Sequence, residues 1–158
     1  MKLIRLRAGE WLTAAAALAV PITLALPWYG ARAREETVTG FESFAVIDIL
    51  LLLAAAVGLT LVFLQATQDS QTLPVAFGVL TVTAGLLATL LVLYRLINEP
   101  GPNEFLDVRI GAWLGLAATV ALTAGGWLSI ASEHVRGLPP GPEPELRPSP
   151  RIAHRAQP

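Results

Sequence analysis

Residues 44–64 read FAVIDILLLLAAAVGLTLVFL, twenty-one positions in which Asp48 is the only charge. An α-helix rises ~1.5 Å per residue, so a run of this length reaches across the ~30 Å hydrocarbon layer of a bilayer. The leucine run at 50–53 shows none of the alternation that a membrane-spanning β-strand requires. Three companion runs flank it, at about 11–27, 73–94 and 110–132. With no water at that depth to satisfy backbone groups, each run must be helical. The expectation is therefore an all-α protein: a transmembrane four-helix bundle over residues 1–135, followed by a Pro-rich tail at 136–158.

Composition agrees with that reading. Of 158 residues, 54% are hydrophobic and 15% charged, against roughly 25% charged in soluble domains. The formal net charge is −1 and there is no cysteine. A soluble chain of this size could not hide four such runs. A cytosolic enzyme is excluded, as is a nucleic-acid binder with a basic face, and no thiol is available for disulfides, thiolate metal sites or redox chemistry. Lys2 is the only lysine among eleven Lys and Arg residues, a usage typical of GC-rich bacterial genomes.

The connections differ in character. Residues 65–72 are short and polar, which predicts a tight antiparallel hairpin between the second and third spans, with Pro74 tolerated in the first turn of the third. The 28–43 loop is longer and charged, and Pro100-Gly101-Pro102 forbids helix in the 98–108 loop. The tail holds seven prolines and few large apolar groups, so it is expected to be disordered. Four spans put both termini on one side. Lys2, Arg5, Arg7, Arg136, Arg147, Arg151 and Arg155 then oppose Arg32, Arg34, Arg95 and Arg109, and the positive-inside bias places both termini in the cytoplasm. A competing reading takes the basic start, the first apolar run and Ala31-Arg32-Ala33 as a cleavable signal peptide.

Several residues bear on function. Trp28, Tyr29, Phe41, Phe44, Tyr94, Phe105 and Trp113 on one side, and Trp11 and Trp127 on the other, are expected at headgroup level as aromatic anchors. Gly111 and Gly115 form a GxxxG pair, and Ala117, Ala121, Gly125 and Ser129 continue the small-residue spacing. These positions let helices approach closely, within one bundle or between two copies, with Ala54, Gly58, Ala84 and Ala88 as mating surfaces. Asp48 lies one turn inside its span, where a carboxylate needs a partner, and Arg95 or Arg109 stands at compatible depth for an intramembrane ion pair. Arg7-Ala8-Gly9-Glu10-Trp11-Leu12 echoes Arg109-Ile110-Gly111-Ala112-Trp113-Leu114, either an inverted repeat or a shared way of opening a span at the interface. No catalytic motif, cofactor fingerprint or metal-ligand spacing appears, so no catalytic residue, cofactor or metal is expected.

The pattern resembles a group of uncharacterised small four-helix membrane proteins of high-GC bacteria. The residues that carry the likeness are Arg-Ala-Gly-Glu-Trp-Leu at 7–12, Leu-Pro-Trp-Tyr at 26–29, and Gly-Phe-Glu-Ser-Phe at 40–44 with Asp48. Leu-Tyr-Arg-Leu at 93–96 and Gly-Ala-Trp-Leu-Gly at 111–115 complete it. The resemblance implies topology over about residues 1–135 and supplies no activity. Two functions from different classes follow. One is a non-enzymatic scaffold or accessory subunit in the bacterial cell membrane, partnered by the lipid bilayer and by another membrane protein or a second copy. The other is a small oligomeric transporter or channel using Asp48, with Glu42 and Asp107 at its mouth. A pathway would need polar groups at mid-depth, where the chain offers Thr60, Thr81, Thr83 and Thr119.

Overall fold

The first helix, α1 (Ala8–Leu24), opens where Glu10 folds back to accept the Arg7 backbone N–H at 2.9 Å, and it ends one turn after Pro21. Its 17 residues rise ~26 Å, short of a full hydrocarbon layer. The chain then forms β1 (Pro27–Ala31), β2 (Thr37–Thr39) and a single helical turn, α2 (Gly40–Ser43), before three long helices. These are α3 (Ile47–Thr67), α4 (Thr72–Ile97) and α5 (Ile110–His134), with β3 (Leu106–Val108) immediately before the last. This computed structural model describes residues 6–31, 36–44, 46–67, 72–98 and 106–134, without the side chains of 72–75 and 132–134. The expected tail at 136–158, residues 68–71 of the expected 65–72 connection, and Phe105 lie outside the described residues.

The chain is mostly helical, and three helices are long and apolar enough to cross a membrane: α3, residues 76–97 of α4 and residues 110–131 of α5. α1 is apolar but shorter. Each of the four packs on two others, α1 on α5 and α3, and α4 on α5 and α3. The interior is built from small residues, among them Ala16, Ala17, Ala54, Ala55, Ala88 and Ala118, around the fully buried Leu51, Leu61 and Leu122. The large apolar side chains Leu53, Phe63, Val79, Leu86, Leu90, Val120 and Trp127 point outward instead. Small residues inside and large ones outside is the distribution expected where the surroundings are hydrocarbon and close backbone approach drives packing.

The expectation of an all-α chain needs correction. The two longer connections meet in a three-stranded antiparallel sheet of order β2-β1-β3. Tyr29 stands opposite both Val38 and Val108, and the Ala31 N–H donates to the Glu36 carbonyl at the far end of the first pair. The first span also ends earlier than its apolar run, at Leu24 rather than Pro27, because Leu26 to Ala31 leave the helix for the sheet. Strands this short have too few residues for period-two patterning, and proline and aromatic residues at 27–29 read equally well as a span end.

Candidate functional site at the sheet-bearing end

Loss of α1 at Leu24 leaves carbonyls without partners, and the following residues supply them. Ala25 N–H donates to Pro21 and Ile22, Leu26 N–H to Thr23, and the Trp28 indole Nε1–H to the Thr23 carbonyl at 2.7 Å. The indole therefore turns inward and is fully buried. Its seat is α5. A Cβ added at Gly115 would lie 2.5 Å from the indole ring, and one at Gly111 would lie 2.5 Å from the Pro27 carbonyl oxygen. No described residue has positive φ, so these glycines are there for space and not for backbone conformation.

Phe44 packs edge-on against Trp28 at 4.9 Å and against Tyr29 at 6.3 Å between centroids. The Tyr29 hydroxyl donates to the Arg95 carbonyl near the end of α4, and Arg95 Nη2 donates to the Ser43 carbonyl, both at 2.9 Å. The Arg95 guanidinium lies 4.9 Å from the Phe44 ring centre, a cation–π contact that offsets part of its desolvation. Its Nε is buried and, among the described residues, has no hydrogen-bond partner. Beside this cluster Thr39 and Glu42 form a capping box. Glu42 Oε2 accepts from both the Thr39 N–H and the Thr39 hydroxyl at 2.9 Å, while the Glu42 N–H donates back to the Thr39 hydroxyl. The Thr39 backbone N–H, and then its hydroxyl, hold the Glu42 carboxyl below its ordinary value of 4.5.

The residues singled out by sequence are distributed differently from expectation. Asp48 is half-buried in the first turn of α3, and its Oδ1 accepts from the next N–H, that of Ile49, at 2.8 Å. Arg95 engages Ser43 and Phe44, and Arg109 lies against Gly30, so among the described residues neither arginine pairs with Asp48. A first-turn carboxylate already has a favourable place at the helix N-terminus, and Arg95 finds a carbonyl and an aromatic partner nearer to hand. Trp28, Tyr29 and Phe44 are buried rather than interfacial, whereas Trp11, Phe41, Tyr94, Trp113 and Trp127 are exposed as anchors would be.

Most of the small-residue positions make close contacts, with two kinds of partner, whereas Ala117 is exposed. Gly111 and Gly115 receive the β1 segment, not a helix. Gly125 meets the backbone of Thr13 on α1, Ala121 is half-buried against the core, and Gly58 of α3 receives Leu122. The two copies of the repeated opening also behave alike: Gly9 and Gly111 sit at close backbone approaches, and Trp11 and Trp113 face outward. Sequence reasoning missed the Thr39–Glu42 box, although Thr39-Gly-Phe-Glu42 carries the T-x-x-E signature that would have found it. It also missed a cavity of about 310 Å³ lined by Tyr29, Val38, Glu42, Ser43 and Leu106. No protein-family model, curated protein or solved structure matches the chain.

Proposed function

We propose that the chain is a multi-pass integral protein of a bacterial cell membrane, a transmembrane four-helix bundle with both termini cytoplasmic. In this reading it acts as a non-enzymatic scaffold or accessory subunit for another membrane protein or a second copy. One observation carries it: the threonine hydroxyls along the helices, buried at Thr13, Thr81 and Thr119 and facing outward at Thr60 and Thr83, are spent on their own helices. Thr13 donates to Gly9, Thr60 to Ala56, Thr81 to Phe77, Thr83 to Val79, Thr89 to Gly85 and Thr119 to Leu116, at 2.7–3.0 Å. A solute pathway needs polar groups left over at mid-depth to replace a hydration shell. The interior instead supports rigid packing, and the outward faces of α3, α4 and α5 are apolar enough to lie against lipid or another helix.

The second reading, a small oligomeric transporter or channel, draws on Asp48, a half-buried carboxylate near the end of a span-length helix. Reconstitution into sealed liposomes distinguishes the two. The scaffold reading expects proton and monovalent-cation flux no greater than in empty vesicles, and no difference between the native chain and Asp48→Asn. Flux that is abolished by Asp48→Asn would replace it with the transporter reading. Topology is checked by single cysteines in the thiol-free chain. Thr37→Cys should react with an impermeant reagent outside intact cells and Thr67→Cys should not. The reverse pattern would invert the orientation.

A further inference from the structure

The cavity at the sheet-bearing end has an unbalanced inventory of donors and acceptors. Its polar lining comes from Tyr29, Glu42 and Ser43, and its walls from Val38 and Leu106. The hydroxyl donors are already committed. The Tyr29 O–H goes to the Arg95 carbonyl at 2.9 Å, and the Ser43 O–H goes to the Thr39 carbonyl at 2.8 Å. Acceptors remain. Both hydrogen bonds to the Glu42 side chain fall on Oε2, so Oε1 carries none among the described residues, and the Ser43 hydroxyl oxygen keeps a lone pair. The carboxyl, ionised at neutral pH in any case, is pushed further below its ordinary range by the capping bonds. Arg95, the cation that would oppose a bound positive charge, is turned to the Ser43 carbonyl and the Phe44 ring.

Among the described lining residues no side-chain donor is left over for an anion or a neutral acceptor, whereas the exposed Glu42 carboxylate leaves an acceptor for a cation that carries N–H donors. We infer that this cavity is a binding site for a primary alkylammonium group, its N–H donors directed at Glu42 Oε1 and Ser43 Oγ and its alkyl part against Val38 and Leu106. The volume, about 310 Å³, suits a small amine and is too small for most cofactors. The same chemistry could arrive on a free amine or on an ethanolamine lipid headgroup.

The test uses the full chain in phosphatidylglycerol nanodiscs, with n-butylammonium chloride as probe and saturation-transfer NMR as readout. Sodium butyrate, and tetramethylammonium chloride with no N–H donor, serve as controls. Butylammonium should bind and butyrate should not, with tetramethylammonium weaker than butylammonium. Glu42→Gln keeps a capping side chain but removes the charge, and should weaken binding by about tenfold or more, the size of one lost charge-assisted hydrogen bond. Val38→Trp should fill the cavity and abolish binding without touching the box. Adding phosphatidylethanolamine to the discs should lower the apparent affinity if headgroups are the source, and leave it unchanged if a free amine is. Butylammonium binding equally well to Glu42→Gln, equal binding of butyrate, or no butylammonium binding to the native chain would each overturn the inference.

Discussion

The two halves of α5 carry the same kind of sequence, small residues four apart, and put it to different uses. Towards its C-terminal end the small residues meet a helix. Gly9 of α1 approaches the Ser129 backbone and Gly125 approaches that of Thr13, pairs that step by four along antiparallel helices. Towards its N-terminal end α1 has already stopped, and Gly111 and Gly115 receive Pro27 and the indole of Trp28 in its place. Small-residue spacing therefore specifies close approach and nothing about the partner. What decides the partner is whether the neighbouring chain is still helical at that depth, and α1 has ended at Leu24, closed by the Ala25 and Leu26 N–H groups.

The sharpest way to break this comparison is to remove the inserted ring. Trp28→Ala leaves a large cavity and removes one of the two hydrogen bonds to the Thr23 carbonyl, and should cost about 3–5 kcal/mol in a reversible denaturation measurement in detergent. Trp127→Ala, at an indole that is 64% exposed, should change stability by no more than about 0.5 kcal/mol. Equal losses at the two tryptophans would mean that Trp28 is not seated on α5.

A double-mutant cycle sharpens it further. Gly115→Ala and Gly125→Ala each force a methyl into a space already occupied, and each should cost roughly 1–3 kcal/mol. Combined with Trp28→Ala, the first should recover much of its loss, since the atoms it strikes are those of the indole. The second should add to Trp28→Ala within about 0.5 kcal/mol, because its neighbour is Thr13. Additive behaviour at Gly115 would show that the alanine methyl is accommodated elsewhere.

A smaller effect is expected at the link between the sheet and α4. Tyr29→Phe deletes one buried hydrogen bond to the Arg95 carbonyl and should cost about 1 kcal/mol. Tyr94→Phe removes an acceptor from an exposed pair with Asn98 and should fall within about 0.5 kcal/mol of the native chain. Thermal melts of both variants in one detergent would separate the two outcomes.

These contrasts also mark what could be read from sequence. The long apolar runs gave α3, α4 and α5 because composition and length alone decide whether a segment suits hydrocarbon. Gly125 and Gly58 were legible as close-approach positions for the same reason. Trp28, Tyr29 and Phe44 were not, because an aromatic residue at a span end looks the same whether it anchors in headgroups or folds back into the core. Only the Trp28 indole bond to Thr23 separates the cases, and that bond depends on where α1 stops. Asp48 was misread through depth. Asp48, Arg95 and Arg109 all lie near the same end, but proximity along the membrane normal says nothing of position around the bundle. The three-residue strands β2 and β3 carry too little pattern to declare themselves, and only their pairing with β1 makes them strands.

The smallest effect concerns the capping box, and it asks whether the sheet-bearing end is held locally as well as by the indole. Glu42 is ionised more readily folded than unfolded, because the Thr39 N–H and hydroxyl both donate to it. A carboxyl depressed in this way contributes stability that is fully present above its unfolded value, near 4.5, and is lost as pH falls through the lower folded value. The contribution should be modest and weakened by salt, since the group faces solvent. Carbon-13 titration of the Glu42 carboxyl gives the direct measurement and should show a midpoint below 4.5. Thr39→Ala removes the hydroxyl but keeps the backbone N–H, which is the larger of the two causes. The midpoint should therefore move only part of the way back towards 4.5, while the Trp28 contacts, read from indole fluorescence, stay as they are. A full return in Thr39→Ala would make the hydroxyl the main donor. No displacement in the native chain would show that the box does not form in solution, leaving the indole and the Arg95 links to hold that end alone.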